Sequence, residues 1–336
     1  MQHAVLVATA VLAVTVTFQT SHDARAAQRV SATWSPPRTA DGQPDMQGVW
    51  LNNSATPLER PKALEGKPSL TDEEVAELKR RAERLFKDGN ADLPVGDNLF
   101  LAALANPEQY RNPNGANRSA AYMVAREFDH RTSLIVDPSD GRIPALTPAA
   151  RQRRAAAAAR ERALEGPEDL NNNARCTTTG IPRIGGPGAD PQYGHYQIVQ
   201  GPGYVVFLME TIHDARIIPL DGRPHLPQTI RQWSGDSRGR WNGTTLIVDT
   251  KNFSAASNFL GSSEGLHVVE RLTPTAPDAI DYSVTVDDPT TWTQSWTVLV
   301  RLKRMKVKIY EYACHEGNAH TMLAILAGAR AADDRH

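Results

Sequence analysis

Asp281-Tyr-Ser-Val-Thr-Val-Asp287 and Trp296-Thr-Val-Leu-Val-Arg-Leu302 decide the fold. In the first, Tyr282, Val284 and Val286 alternate with Ser283, Thr285 and Asp287. In the second, Trp296, Val298, Val300 and Leu302 alternate with residues that include Thr297 and Arg301. Successive side chains of an extended chain point to opposite sides, so each segment reads as a strand with one dry face. Further strands are expected at Tyr196–Gln200, Tyr204–Glu210, Asp214–Pro219, Thr245–Thr250, Leu266–Thr273 and Val307–Cys314. Between them, Gly201-Pro-Gly203, Leu220-Asp-Gly222 and Trp241-Asn-Gly243 supply turn chemistry. Many short strands in sequence favour closure, because closure removes exposed edges. The expectation is therefore a mainly β fold: an antiparallel up-and-down, lipocalin-like barrel or a strongly curved sheet, with peripheral helices. A β-sandwich is the alternative.

The first half of the chain is less regular. Asp45-Met-Gln-Gly-Val-Trp50 reads as entry to a strand, with Gly48 permitting close approach beside an aromatic. Thr71-Asp-Glu-Glu74 starts a helix carrying Val75, Leu78, Ala82 and Leu85 on one face. Residues 88–117 look like a surface excursion, Thr132–Asp137 like a short strand, and Ala149–Leu164 like a helix by propensity. The expected organisation is a signal peptide over residues 1–26 and a flexible leader over 27–44. Packing elements over 45–190, a barrel core over 191–328 and a tail over 329–336 follow.

Charge and the ends limit the partners. Thirty-seven Lys plus Arg face 38 Asp plus Glu, so no field of one sign draws nucleic acid or anionic lipid. The uncharged run Ala4–Phe18, followed by the small residues Ala24-Arg-Ala-Ala27, reads as a secretory signal. That implies a periplasmic or secreted protein with no membrane segment after signal removal. Export would place Cys176 and Cys314, the sole cysteines, in an oxidising compartment, and a disulfide between them is the favoured reading.

Three clusters could carry chemistry. Around His213-Asp-Ala-Arg216, alternation puts Asp214 and Arg216 on the face of Ile218, where charge would sit among aliphatic side chains. His225 lies just downstream. Arg231, Trp233, Arg238 and Trp241 interleave guanidinium forks with indoles, a pattern that binds planar anions or sugars. The final expected strand carries Glu311, Tyr312, Cys314 and His315, while Glu270 stands between Val268 and Leu272. A carboxylate with an imidazole can move a proton on and off a substrate. His213, Asp214, Glu270, Glu311 and His315 are thus the candidate acid–base residues; Arg216, His225, Arg231, Trp233, Arg238, Trp241 and Tyr312 are candidate ligand contacts. No cofactor is expected, and a divalent metal is only a minor possibility because no close His/Glu spacing enforces one.

Asp45–Trp50, Pro57-Leu-Glu-Arg-Pro61, Arg131–Asp137, His213–His225, Gly235–Trp241 and Cys314-His-Glu-Gly-Asn318 together resemble a family of exported bacterial proteins with no assigned activity. The Gly-x-Trp near the start also resembles lipocalin-like barrels, which include carriers and cofactor-free isomerases and lyases. The expectation is an exported, cofactor-independent lyase, isomerase or hydrolase acting on a small, partly apolar or sugar-like molecule. The alternative is a non-catalytic small-ligand-binding protein.

Overall fold

The structure, a computed structural model, describes residues 34–87, 98–105, 126–172, 174–178, 181–182, 184, 195–257 and 259–333. The expected signal peptide lies outside the described residues. Ten strands form one sheet: β1 (Gly48–Leu51), β2 (Ile135–Asp137), β3 (His195–Gly201), β4 (Tyr204–Met209), β5 (Ala215–Pro219), β6 (Asp236–Asn242), β7 (Thr245–Lys251), β8 (His267–Ala276), β9 (Ala279–Asp287) and β10 (Trp296–Met305). The order is β5-β4-β3-β1-β10-β9-β8-β7-β6, with β2 beside the start of β10. Each hydrogen-bonded pair in that order is antiparallel.

That order is an up-and-down ring. β1 sits between β3 and β10, so the chain's first strand closes onto its last. β5 and β6, the two ends of the path, pack side by side without a ladder, and the sheet is a nearly closed barrel rather than a sandwich. Parity explains the seam. Nine alternating strands leave the two end strands parallel, and a parallel pair needs a crossover rather than a hairpin. Residues 220–235 are that crossover. At the seam, a Cβ on Gly239 would lie 2.5 Å from Leu220 Cδ2 and 2.8 Å from Ile218 Cγ2, so only glycine lets β6 come this close to β5.

The dry faces point inward. Trp50, Ile198, Val205, Ile218, Leu246, Val248, Val268, Leu272, Ile280, Val284, Val286, Trp296, Val298 and Val300 form one continuous core. Gly48 meets its expected aromatic neighbourhood: a Cβ there would strike Arg304 Nη1 at 2.6 Å, and the Arg304 guanidinium lies 4.4 Å above the Trp50 ring.

Among the described residues, four α-helices flank the sheet: α1 (Asp72–Lys87), α2 (Asn98–Leu104), α3 (Pro148–Ala163) and α4 (Asn318–Asp333). Thr71 and Glu74 cap α1 reciprocally, Thr71 Oγ1 accepting from Glu74 N and Glu74 Oε2 from Thr71 N. Val75, Leu78 and Ala82 pack with Leu99 and Phe100 of α2 in a small second core, where Phe100 stacks on Phe128 at 6.1 Å. Thr147 caps α3, whose Arg153 and Arg154 donate to Thr290 O, Thr291 Oγ1 and Leu260 O.

Five expectations need correction. Residues 307–314 are not a strand: β10 ends opposite β1's start, with Met305 paired to Val49, so the chain beyond has no ladder to join. The barrel therefore stops at Met305, and Asn318–Asp333 is helix rather than barrel and tail. Asp236–Asn242, absent from the expected strands, is strand β6. Within the expected excursion, Asn98–Leu104 is helical because Leu99, Phe100, Ala102 and Ala103 bury on α1. Finally, residues 37–45 are no free leader: Thr39 N, Gly42 N and Asp45 N close a hairpin, and Gln200 fastens it by accepting from Met46 N and donating to Pro44 O.

Candidate functional site

The candidate acid–base residues do not converge. Glu270 is fully buried on the inner face of β8, while His213, Glu311 and His315 are exposed. Asp214 is half-buried before β5 and accepts from Thr178 Oγ1 at 3.0 Å. Glu311 and His315 leave the barrel because the segment that carries them follows the last strand.

Inside the barrel, Glu270 meets Arg216 and Tyr282. Arg216 Nη2 donates to Glu270 Oε2 at 2.6 Å and the Tyr282 hydroxyl donates to Glu270 Oε1 at 2.5 Å. The Arg216 guanidinium also lies 5.2 Å from the Phe207 centroid. Burial, then the Glu270 charge, pushes the Tyr282 hydroxyl well above its ordinary value. Burial alone would lower the Arg216 pKa, but the Glu270 charge and hydrogen bond, together with Tyr282 and Tyr196, make the net shift upward. The adjoining space, lined by Ile181, Pro182, Tyr196, Phe207 and Met209, measures about 10 Å³, enough for about one water. Both carboxylate oxygens are taken, Arg216 Nε has no partner among the described residues, and the space beside them holds no more than about one water, so this trio belongs to the core.

The second cluster sits on the outer wall and pins the crossover. His225 Nδ1 is 3.0 Å from Asp236 Oδ2, His225 Nε2 is 2.8 Å from Asp249 Oδ1, and His267 Nε2 is 3.0 Å from Asp249 Oδ2. Arg238 donates to Asp236 Oδ1 at 2.5 Å and to Pro224 O at 3.0 Å. Burial acts to raise the Asp249 pKa, but its hydrogen bonds and charge pairing with His267 and His225 bring it down to about 2. Arg231 donates to Glu264 O, and Trp233 is exposed, its carbonyl accepting from Ser257 Oγ. Of the expected ligand contacts, His225 and Arg238 are committed to this strap.

At the end of the β3–β4 pair opposite its turn, the arm after β10 is clasped. His195 Nδ1 lies 2.7 Å from Glu210 Oε2, while Glu210 Oε1 accepts from Tyr310 N at 2.8 Å. Glu210 is buried and His195 half-buried, and alternation from Tyr196 to Met209 does not mark the pair because it leaves both at strand ends. Cys176 and Cys314 are bonded, as expected, and tie the arm to the segment carrying Ile181. Tyr312 is half-buried on that arm. Among the described residues no group of three His, Cys, Asp or Glu side chains is placed to hold a metal ion, and no helix is long and apolar enough to cross a membrane.

A cleft of about 600 Å³ opens beside the β3–β4 turn. The 39–43 hairpin forms one wall; Gly201-Pro-Gly203, Tyr204, Leu220, Arg240 and Trp241 form the rest. Its volume is that of a small-molecule site. Trp241, expected as a ligand contact, lines it; Arg238, three residues earlier, does not. Arg240 and Tyr204 went unmarked. Reading 236–242 as a strand would have separated Ser237, Gly239 and Trp241 on the inner face from Arg238 and Arg240 on the outer. No family model, no curated protein and no solved structure matches this chain, so the site is described from its own residues.

Proposed function

We propose that this chain is an exported small-ligand-binding barrel protein whose ligand occupies the cleft between the 39–43 hairpin and Trp241. The observation that carries this is the contrast between two polar sites. The Arg216–Glu270–Tyr282 trio has both carboxylate oxygens taken and only about 10 Å³ beside it, whereas the cleft is open, ligand-sized and includes Asp41, Gln43, Gln47, Tyr204 and Arg240, whose side chains make no hydrogen bond to another described residue. Export is supported by the apolar Ala4–Phe18 run with its small-residue site, and by the disulfide. The acid–base reading has less behind it, since His213, Glu311 and His315 share no cavity with Glu270 among the described residues.

Ligand-dependent stabilisation tests the proposal, because anything that binds only the folded state raises its melting temperature. Pools of small metabolites should raise Tm for the wild type and not for Ala40→Trp, which drops an indole into the cleft from its exposed rim. Equal stabilisation of both proteins would place the ligand elsewhere.

A further inference from the structure

We infer that the cleft takes a neutral polyhydroxylated ring, one or two sugar residues in size. This deepens the proposed function and rests on it. Six lining side chains make no side-chain hydrogen bond to another described residue: Asp41, Gln43, Gln47, Tyr204, Arg240 and Trp241. Trp241 is half-buried and lines the cleft with its ring; its indole N–H lies out of solvent's reach, so the ring rather than the N–H is what a ligand meets. Gln200 lines the same space but is spent on Pro44 O and Met46 N, so the wall-building residue and the six unspent ones are distinct.

The chemistry of the six selects the ligand. Arg240 only donates, the Asp41 carboxylate only accepts, and the two amides and the phenol do both. A hydroxyl also does both, so a ring with several hydroxyls can satisfy this mixture, whereas a fatty chain would leave it unpaired at a cost for each group. Charge points the same way. Arg240 and Asp41 cancel, so the cleft gives neither a net anion nor a net cation an advantage. Tyr204 and Trp241 add aromatic surface for the apolar side of a sugar ring, beside Pro202 and Leu220.

Isothermal titration of the full chain with neutral mono- and disaccharides, glucuronate, and octanoate tests this. Expected is binding of at least one neutral sugar, at least about tenfold tighter than glucuronate, with no octanoate binding. Arg240→Met and Asp41→Asn should each weaken that sugar about three- to tenfold, the loss expected when one hydrogen bond to an exposed charged side chain is removed. Their circular dichroism and Tm confirm folding. If octanoate or glucuronate binds best and Ala40→Trp abolishes it, the sugar inference fails while the cleft stands. If no probe binds, or binding ignores Ala40→Trp, both fail.

Discussion

The Arg216 guanidinium sits 2.6 Å from the Glu270 carboxylate at a point in the barrel where Glu270 has 0% exposure and Arg216 7%. Two charges drawn from β5 and β8 neutralise each other across the lumen, with Tyr282 of β9 completing the carboxylate's partners. Breaking such a pair leaves a buried, uncompensated charge. Glu270→Ala should therefore cost about 3–5 kcal/mol in chemical denaturation, and Arg216→Met a similar amount. The double variant Arg216→Met/Glu270→Leu should recover most of that loss, which a double-mutant cycle measures directly. Retention of full stability by Glu270→Ala would contradict a core role.

Asp249 carries the outer strap's dependence on acid. Its folded pKa is about 2 against an ordinary 3.8, so its contribution is fully present above the unfolded value and fades as pH falls toward 2. Urea midpoints of the wild type should drop more steeply between about pH 4 and pH 2 than those of Asp249→Asn. At pH 6 the variant should already be weaker, having lost the pairings with His225 and His267. Parallel curves for the two proteins across that range would show that Asp249 is not the group responsible.

The seam rests on one missing methyl. Gly239→Ala introduces a Cβ that must displace Ile218 and Leu220, and the overpacking should cost about 1–3 kcal/mol. Because Leu220 also lines the cleft, ligand affinity should fall with it. A neutral effect on both stability and affinity would mean that β5 and β6 do not abut in solution.

The Cys176–Cys314 bond spans 138 positions of sequence and fastens the arm after β10 to the segment carrying Ile181. Cys176→Ser/Cys314→Ser should lose about 2–5 kcal/mol, read as a lowered denaturation midpoint. Non-reducing mass mapping of the wild type should recover the linked peptides.

Legibility in the sequence followed the side chains. β8, β9 and β10 were plain because Val, Tyr and Trp on one face alternate with Thr, Ser and charged residues on the other. β6 was hidden because its inner face is Ser237, Gly239 and Trp241, and two small residues erase the hydrophobic signal that strand reading depends on. Closing the ring through β1 was equally hidden, since nothing in Gly48–Leu51 names its partners across such separation. At the site, alternation correctly put Arg216 and Glu270 with aliphatic neighbours, but not that they would meet and cancel. The grouping of Glu311 and His315 with them assumed a strand that lacks a neighbour to pair with. The cleft gathers residues from 39–47, 200–205, 220 and 240–241, and its defining property, side chains with unused hydrogen-bonding capacity, exists only once the chain is folded.

Trp241 offers the most direct readout of the cleft. Its indole ¹H–¹⁵N resonance, identified by its loss in Trp241→Phe, should shift progressively as the best-binding neutral sugar is titrated, with the other indoles unmoved. A saturating ligand that leaves this resonance in place while moving amides around Arg216 and Glu270 would contradict the assignment of the cleft as the binding site.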